Sequence, residues 1–392
     1  MRLSRADRSL LAEWWFTVDR LLLTAALALV GVGIVVSLAA SPAVALKKGL
    51  GAFYFVERHI VFAGAAVVIM LSVSLLSPRA IRRLSLVMFL VALAAMVAVL
   101  LVGDEINGSR RWLRAAGLSV QPSEFAKPAF VVLSAWAFAE SRSRPDMPAI
   151  PFAFALYAGF ATLLVLQPDV GQTLLVSVVW GVLFLLSGQP ILWALGFALA
   201  GALGLLVSYH SFGHVKARFD RFLNPSPGEN SQTERAIESF VEGGFLGRGP
   251  GEGTIKTVLP DAHTDFIFAV VGEEYGVLAS LGLVALFAFV VLRALSRLVA
   301  QTDTFAQHAV AALSVLFGLQ AVINMAVNVG LIPAKGMTLP FISSGGSSLL
   351  AVSFTLGMLL ALTRRRPDPL RLELPRLATT PDSLERTGSG TQ

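Results

Sequence analysis

The feature that most constrains this chain is its succession of long apolar stretches. Ten can be drawn, at residues 18–40, 59–77, 84–103, 125–140, 150–166, 170–187, 190–209, 265–292, 305–332 and 345–363. A helix crosses the hydrocarbon core of a bilayer in about 20 residues. Only helices and closed barrels satisfy their backbone polar groups there. The pattern predicts an all-α integral membrane protein of about ten transmembrane helices. Composition agrees, with 55% hydrophobic and only 14% charged residues and a mean hydropathy of +0.72, against roughly 25% charged residues in soluble domains.

Some runs are less regular than others. The fourth carries Lys127 and Pro128, and the fifth and sixth are parted only by Gln167, Pro168 and Asp169, which predicts a tight helical hairpin. No cleavable leader is evident, because the first apolar run, from near Leu21, has spanning length and no small-residue cleavage site. Lys and Arg bias sets orientation. With the N-terminus inside, Arg2, Arg5, Arg8, Arg79, Arg82, Arg83, Arg142, Arg144, Arg293, Arg297 and Arg364–Arg366 all face the cytoplasm, and so does the C-terminus. The expected organisation is a cytoplasmic segment at 1–17, a membrane domain at 18–363 and a disordered cytoplasmic tail at 364–392. One large outer loop, about 210–264, joins helices seven and eight. The net charge of +6 suits anionic lipid rather than nucleic acid. The absence of cysteine excludes disulfides and thiolate chemistry.

Two outer loops carry basic residues against the topological bias. One is Asp104–Glu124, with Arg110, Arg111 and Arg114. The other is the 210–264 segment, with Lys216, Arg218, Arg221, Arg235, Arg248 and Lys256. Each is ordinary solvated charge or a contact for an anionic partner on that side.

The polar groups cluster in three blocks. "LPDAHTDFIFAVVGEEYG", Leu259–Gly276, sets Asp261, His263, Thr264 and Asp265 at the mouth of an apolar run, with Glu273 and Glu274 two turns deeper. Asp265 reads as a helix N-cap with Thr264 or as a functional carboxylate. The glutamates read as functional or as partners of a basic residue on another helix, and Gly272 and Gly276 predict irregular backbone beside them. In "QPSEFAKPAF", Lys127 follows Glu124 by three residues, which fits an internal ion pair or a cation facing a cavity. "AKGMTLPFISSGGSSLLA", Ala334–Ala351, breaks regular helix at Pro340 and Gly345–Gly346 among four serines, and broken backbone at membrane depth lines a cavity or is buried in protein. His210 and His214 lack a third ligand, so no metal site is expected from them. "GRGPGEG", Gly247–Gly253, lacks the Lys-Ser/Thr of a P-loop and reads as a flexible turn.

Taken together, "GSRRWLRAAGLSVQPSEFAK", "QPDVGQTLL", "LPDAHTDFIFAVVGEEYG" and "INMAVNVGLIPAKGMTLPFISSGGSSLL" resemble, in this order, the signature blocks of the SEDS proteins (shape, elongation, division and sporulation). The "KGMTLPF" and "LPDAHTDF" stretches look more like the division branch than the elongation branch. Ser344 stands where the family usually has Tyr.

The resemblance implies a ten-span peptidoglycan glycosyltransferase. Such an enzyme polymerises lipid II into β-1,4 glycan, with inversion, on the outer face of the bacterial inner membrane. It implies Asp265 as the essential residue and general base, with Arg111, Lys127 and Lys335 neutralising the pyrophosphate. Gln121, Ser123, Glu124, His263, Thr264, Ser343 and Ser347 are the further candidates for substrate contact. The implied partners are undecaprenyl-pyrophosphate-linked glycan, a class B penicillin-binding transpeptidase, other divisome proteins at the septum and membrane lipids. No resident cofactor is expected. A divalent cation, Mg or Mn, bridging the pyrophosphate is compatible with the chemistry, but no ligand set calls for one. The competing readings are a lipid II flippase, an elongation-type polymerase and a scaffold for division proteins.

Overall fold

The computed structural model describes residues 9–364 apart from 107–108, 116–117, 145, 212, 224–231, 260 and 334–335. Lys335 and the tail from 365 onward therefore lie outside the described residues, as does the side chain of His214. The helices are α1 (Leu10–Thr17), α2 (Arg20–Lys47), α3 (Tyr54–Ser74), α4 (Pro78–Val102), α5 (Pro122–Ser143), α6 (Ala149–Leu166), α7 (Val170–Leu186), α8 (Ile191–Ser211), α9 (Gly213–Leu223), α10 (Gln232–Gly243), α11 (Ile267–Leu295), α12 (Thr304–Asn328) and α13 (Gly346–Leu362). A helix covers each of the ten expected apolar stretches. Seven of these are long and apolar enough to cross a bilayer, and α7 and α13 are shorter apolar helices.

The centre of the bundle is α5, α12 and α13, whose residues are buried along most of their length. Helix α13 packs on α3, and α5 packs on α4, α6 and α12. This explains why the fourth run looked weak. Shielded from lipid by neighbours, α5 tolerates Glu124 and Lys127, which solvate each other. By contrast α8 is largely exposed along its flank, and its sequence is correspondingly uniform: Leu192, Leu195, Leu199, Leu203 and Leu206 all face outward. The expected hairpin is present. Pro168 turns the chain and Asp169 caps α7 by accepting from the Gln172 N–H at 3.3 Å.

The molecule is not all helix. The loop after α4 folds into a three-stranded antiparallel sheet of β1 (Asp104–Ile106), β2 (Ser109–Ala115) and β3 (Leu118–Val120). Strand pairing satisfies backbone groups at a polar boundary where no helix is long enough to do so. It also sorts the arginines. Arg110 pairs with Glu105 at 3.6 Å and Arg114 with Asp104 at 3.5 Å, both exposed, so these two are solvated surface charge. Arg111 is turned to the other side.

The 210–264 segment is likewise not a plain loop, since it contains α9, α10 and a 3-10 turn at Ile255–Thr257. Its Gly247–Gly253 stretch is pinned rather than free. It wraps around the start of α11, which breaks at Gly276, where φ is 79°. At that break the Val277 N–H bonds to Gly244 O at 2.9 Å, while the Arg248 and Gly249 N–H groups reach Glu273 O and Glu274 O at 2.9 and 3.0 Å.

Candidate active site

Asp265 is placed by the backbone around it. The chain from Asp261 to Phe266 is one tight turn in which Asp261 O accepts from the Thr264 and Phe266 N–H groups at 3.0 and 3.3 Å. Asp261 takes a positive φ of 54° to make it. Phe266, not Asp265, occupies the N-cap position of α11, and it has no side-chain acceptor. Two buried carboxamides of α12 hold Asp265 from behind. Asn324 Nδ2 and Asn328 Nδ2 donate to its carbonyl oxygen at 2.9 and 3.0 Å, and Asn328 Oδ1 accepts from the Ala269 N–H at 2.9 Å.

The Pro340–Gly346 break packs against this turn. Phe341 adopts a φ of 63°. Ser343 Oγ donates to Thr264 O at 2.6 Å and accepts from the Leu339 N–H at 2.7 Å, while the Ser344 N–H donates to His263 O at 2.9 Å. Gly336 closes on the carboxylate itself: a Cβ at that position would lie 3.5 Å from Asp265 Oδ2, and the backbone there has a φ of 66°. The 3.5 Å separation is ordinary van der Waals contact; it is the positive φ that glycine adopts without strain.

A cavity of about 430 Å³ opens in front of these groups, within the range of small-ligand pockets. Of the expected residues it collects Arg111, Gln121, Glu124, Thr264, Asp265 and Ser347. The first turn of α13, at Gly346, Ser347 and Ser348, also forms part of the wall, with Gly345 as its N-cap. A helix start of this kind presents backbone N–H groups to an anion. Arg111 is held on the hairpin between α6 and α7. Its terminal nitrogens donate to Ser109 Oγ and Pro168 O at 2.9 Å each and lie 3.4 Å from Asp169 Oδ2.

Four expected residues stand behind the wall rather than on it. Lys127 is buried, and its ammonium donates to Glu124 Oε1 and Gln172 Oε1 at 2.9 Å and to Gln320 Oε1 at 3.2 Å. All three of its N–H groups are thereby matched, so the internal pair with Glu124 is what forms, enlarged by two glutamines. Ser123 accepts from Gln121 Nε2 at 3.3 Å, and Ser343 braces Thr264 as described above. His263 is buried with its ring against Phe55, centroids 4.8 Å apart. Burial and then the Lys48 ammonium push it down to about 4, against the opposing pull of Asp261.

The cavity also contains residues that sequence reasoning passed over. Arg58 lines it, with its guanidinium 3.2 Å from Tyr54 Oη and 6.0 Å from the Phe62 ring centre. The second run was expected to start at 59, which left Arg58 as loop charge, whereas α3 starts at Tyr54. His59 and Trp112 line the wall too, beside Asp261 of the polar block already noted before α11. An ionisable pair at the first turn of a span was the available signal.

Glu273 and Glu274 turn away from this cavity. Glu273 accepts from the Thr254, Ile255 and Lys256 N–H groups at 2.6, 2.7 and 3.0 Å. Glu274 forms an ion pair with the buried Lys256 and accepts from the Gly251 N–H at 3.0 Å. Of the two open readings the structural one is realised, with a partner from the 210–264 segment.

The sequence profile of the cell cycle protein family FtsW/RodA/SpoVE matches residues 19–367. The chain belongs to this family. Among its relatives, "Probable peptidoglycan glycosyltransferase FtsW" of Caulobacter vibrioides is 48% identical over 93% of this chain and 94% of its own length. The protein of the same name from Trichlorobacter lovleyi is 35% identical over 88% and 93%. Among solved structures, one described as "Structural coordination of polymerization and crosslinking by a peptidoglycan synthase complex" superposes with a TM-score of 0.74 at 27% identity, covering 89% of this chain and 98% of that one. The rod shape determining protein RodA of Thermus thermophilus gives 0.65 at 27% identity, covering 89% and 97%. The FtsW/RodA/SpoVE match spans every residue assembled around the cavity, from Phe55 to Leu349.

Proposed function

We propose that this chain is a peptidoglycan glycosyltransferase that polymerises lipid II, with Asp265 as its general base. The observation that carries the reading is the meeting of an acid and fixed cations in one cavity. Asp265 and Arg111 line the same wall, together with the start of α13. In the reaction the 4-hydroxyl oxygen of the acceptor GlcNAc attacks the anomeric carbon of the growing chain. The new C–O bond forms on the face opposite the departing group, so the configuration inverts. The hydroxyl proton passes to the Asp265 carboxylate, and the C–O bond to pyrophosphate breaks with its electron pair leaving on undecaprenyl pyrophosphate. A positioned base of this kind contributes about 10²–10⁴ in rate. The guanidiniums of Arg111 and Arg58 and the α13 N–H groups meet the negative charge that builds on the pyrophosphate. Lys127 acts through Glu124, fixing that carboxylate at the cavity edge.

We assign no protein ligands to a divalent cation, since among the described residues no three His, Asp or Glu side chains are grouped to hold one. The Asp265 end of the bundle faces the periplasm in this reading, at the inner membrane and the division septum. A class B penicillin-binding transpeptidase crosslinks the product. The candidates for substrate contact gather around the Asp265 cavity, toward one end of the bundle, which favours the enzyme over a flippase.

Purified protein and lipid II in detergent test this directly, because micelles offer no compartments between which to flip. Glycan strands are expected from the wild type and none from Asp265→Asn. Strands made at the normal rate by a folded Asp265→Asn variant would overturn the assignment.

A further inference from the structure

The end of the bundle opposite Asp265 holds a second cluster that the reaction does not use. Asp19, the N-cap of α2, accepts from the Leu22 N–H at 3.1 Å. It also accepts Nε of Arg293 at 3.2 Å from the last turn of α11, and Nε of Arg297 just beyond it. Each arginine thus engages the carboxylate through Nε. Among the described residues neither donates a terminal nitrogen to a protein acceptor. These groups open into a cavity of about 340 Å³ that Arg20 also lines. Arg20 is exposed and pairs with no carboxylate among the described residues; its guanidinium donates to Trp15 O at 3.5 Å and lies 4.8 Å from the Trp15 ring centre. Among the described residues, three guanidiniums against one carboxylate leave the cavity cationic, with a fork of unused donors.

The surroundings indicate where an anion would come from. Helix α1 runs beside the cavity and is tied to the bundle by Trp14 Nε1, which donates to Ser74 Oγ at 2.9 Å, and by Arg364, which donates to Thr17 Oγ1 at 2.9 Å. Its other face is apolar and bare: Leu10 is 80% exposed and Leu11 61%, followed by Trp15 and Phe16. A short helix with leucines and aromatics outward and cations beside it suits the headgroup level of a bilayer.

We propose that Arg20, Arg293 and Arg297 form a binding site for the phosphodiester of an anionic lipid headgroup in the leaflet opposite the reaction cavity. The guanidinium forks bind the phosphate oxygens, Asp19 holds two of the forks in place, and the exposed face of α1 lies among the acyl chains beside the same lipid. Orientation by positive charge makes this the cytoplasmic leaflet, where anionic headgroups concentrate basic residues at about 1 kcal/mol each, or roughly fivefold in affinity per arginine.

The test uses the full chain in neutral detergent and follows the thermal unfolding midpoint. Phosphatidylglycerol, phosphatidylcholine at equal mole fraction, or inorganic phosphate is titrated in. Phosphatidylglycerol is expected to raise the midpoint above the phosphatidylcholine value. Arg20→Gln is expected to shift its half-maximal concentration upward about fivefold. The triple variant Asp19→Asn, Arg293→Gln, Arg297→Gln, which leaves no buried charge uncompensated, is expected to abolish the difference between the lipids. If the triple variant does not fold, Arg20→Gln alone decides, because it breaks no carboxylate pair. Equal responses to both lipids, or an unchanged phosphatidylglycerol response in Arg20→Gln, would overturn the site. Protection by inorganic phosphate without any from phosphatidylglycerol would overturn the lipid in favour of a soluble anion.

Discussion

Asp265 and the pair Glu273–Glu274 stand within three turns of one another at the start of α11, yet the fold treats them in opposite ways. Both glutamate side chains are buried and surrounded by donors, namely backbone N–H groups of Gly251, Thr254, Ile255 and Lys256 and the Lys256 ammonium. They are the cement of the outer segment, and the break of α11 at Gly276 gives that segment its groove. At Asp265 the backbone carbonyl is fastened by Asn324 and Asn328, and the residue lines a cavity. The two glutamates are turned into the protein and hold that segment. Asp265 sits on a clamped backbone at the wall of a cavity, the placement that the proposed chemistry requires.

The strongest way to break this comparison is to remove one charge from each region. Asp265→Asn should lower glycan synthesis by at least the 10²–10⁴ of a positioned base while the protein remains folded and membrane-inserted. Glu274→Gln should do the reverse. It leaves the buried Lys256 ammonium without its counter-charge, a loss of about 3–5 kcal/mol, read as a lowered unfolding midpoint and poor yield. Adding Lys256→Met to Glu274→Gln should recover part of it. If Glu274→Gln instead folded normally and lost turnover, the two regions would share one function and the distinction would fail.

Much of this architecture was legible because lipid imposes simple rules. The ten apolar stretches, the hairpin at Gln167–Asp169 and the irregular backbone at Gly345–Gly346 all follow from hydrophobic length and from Gly and Pro placement. The membership of Asp265 in the site was legible from its motif. The fate of Glu273–Glu274 was not, because all but one of their donors, the Lys256 ammonium, are backbone N–H groups about twenty residues earlier, and any sequence supplies those. Nor was the sheet at 104–120, whose short strands alternate too briefly to stand out beside long helices. Lys127 looked exceptional in a span, and only the convergence of Gln172 and Gln320 from two other helices shows that its charge is satisfied inside the bundle. Arg58 was missed by a helix boundary displaced by about one turn.

A second, smaller test sharpens the contrast through pH. His263 belongs to the Asp265 turn, and no histidine contacts the glutamate knot among the described residues. Burial and Lys48 hold His263 at about 4, against an ordinary 6.5. The neutral ring is therefore favoured by folding. Its contribution is complete above pH 6.5 and is lost as pH falls from there through 4, because the unfolded chain takes up the proton first. A displacement of this size corresponds to a ceiling of about 3 kcal/mol. The unfolding midpoint should drop across that window, and His263→Gln should flatten the drop. Hydrogen exchange should show the loosening at 261–266 before it reaches 247–256. An unchanged slope in the variant would assign the pH dependence to carboxylates elsewhere.

The smallest effect tests the clamp itself. Asn328→Ala removes one donor from Asp265 O and the acceptor of the Ala269 N–H, while Asn324 continues to hold the same carbonyl. The stability lost should be about 1–2 kcal/mol, well below that of Glu274→Gln. Turnover should fall by more than that loss explains, because displacement of a catalytic group by about 1 Å can reduce rate 10²-fold, whereas the apparent affinity for lipid II should change little. Asn328→Asp discriminates further. It keeps the acceptor for Ala269 but presents an oxygen to Asp265 O in place of the donor, so it should be at least as slow as Asn328→Ala. A variant with reduced stability and wild-type turnover per folded molecule would show that α12 supports the fold without positioning the acid.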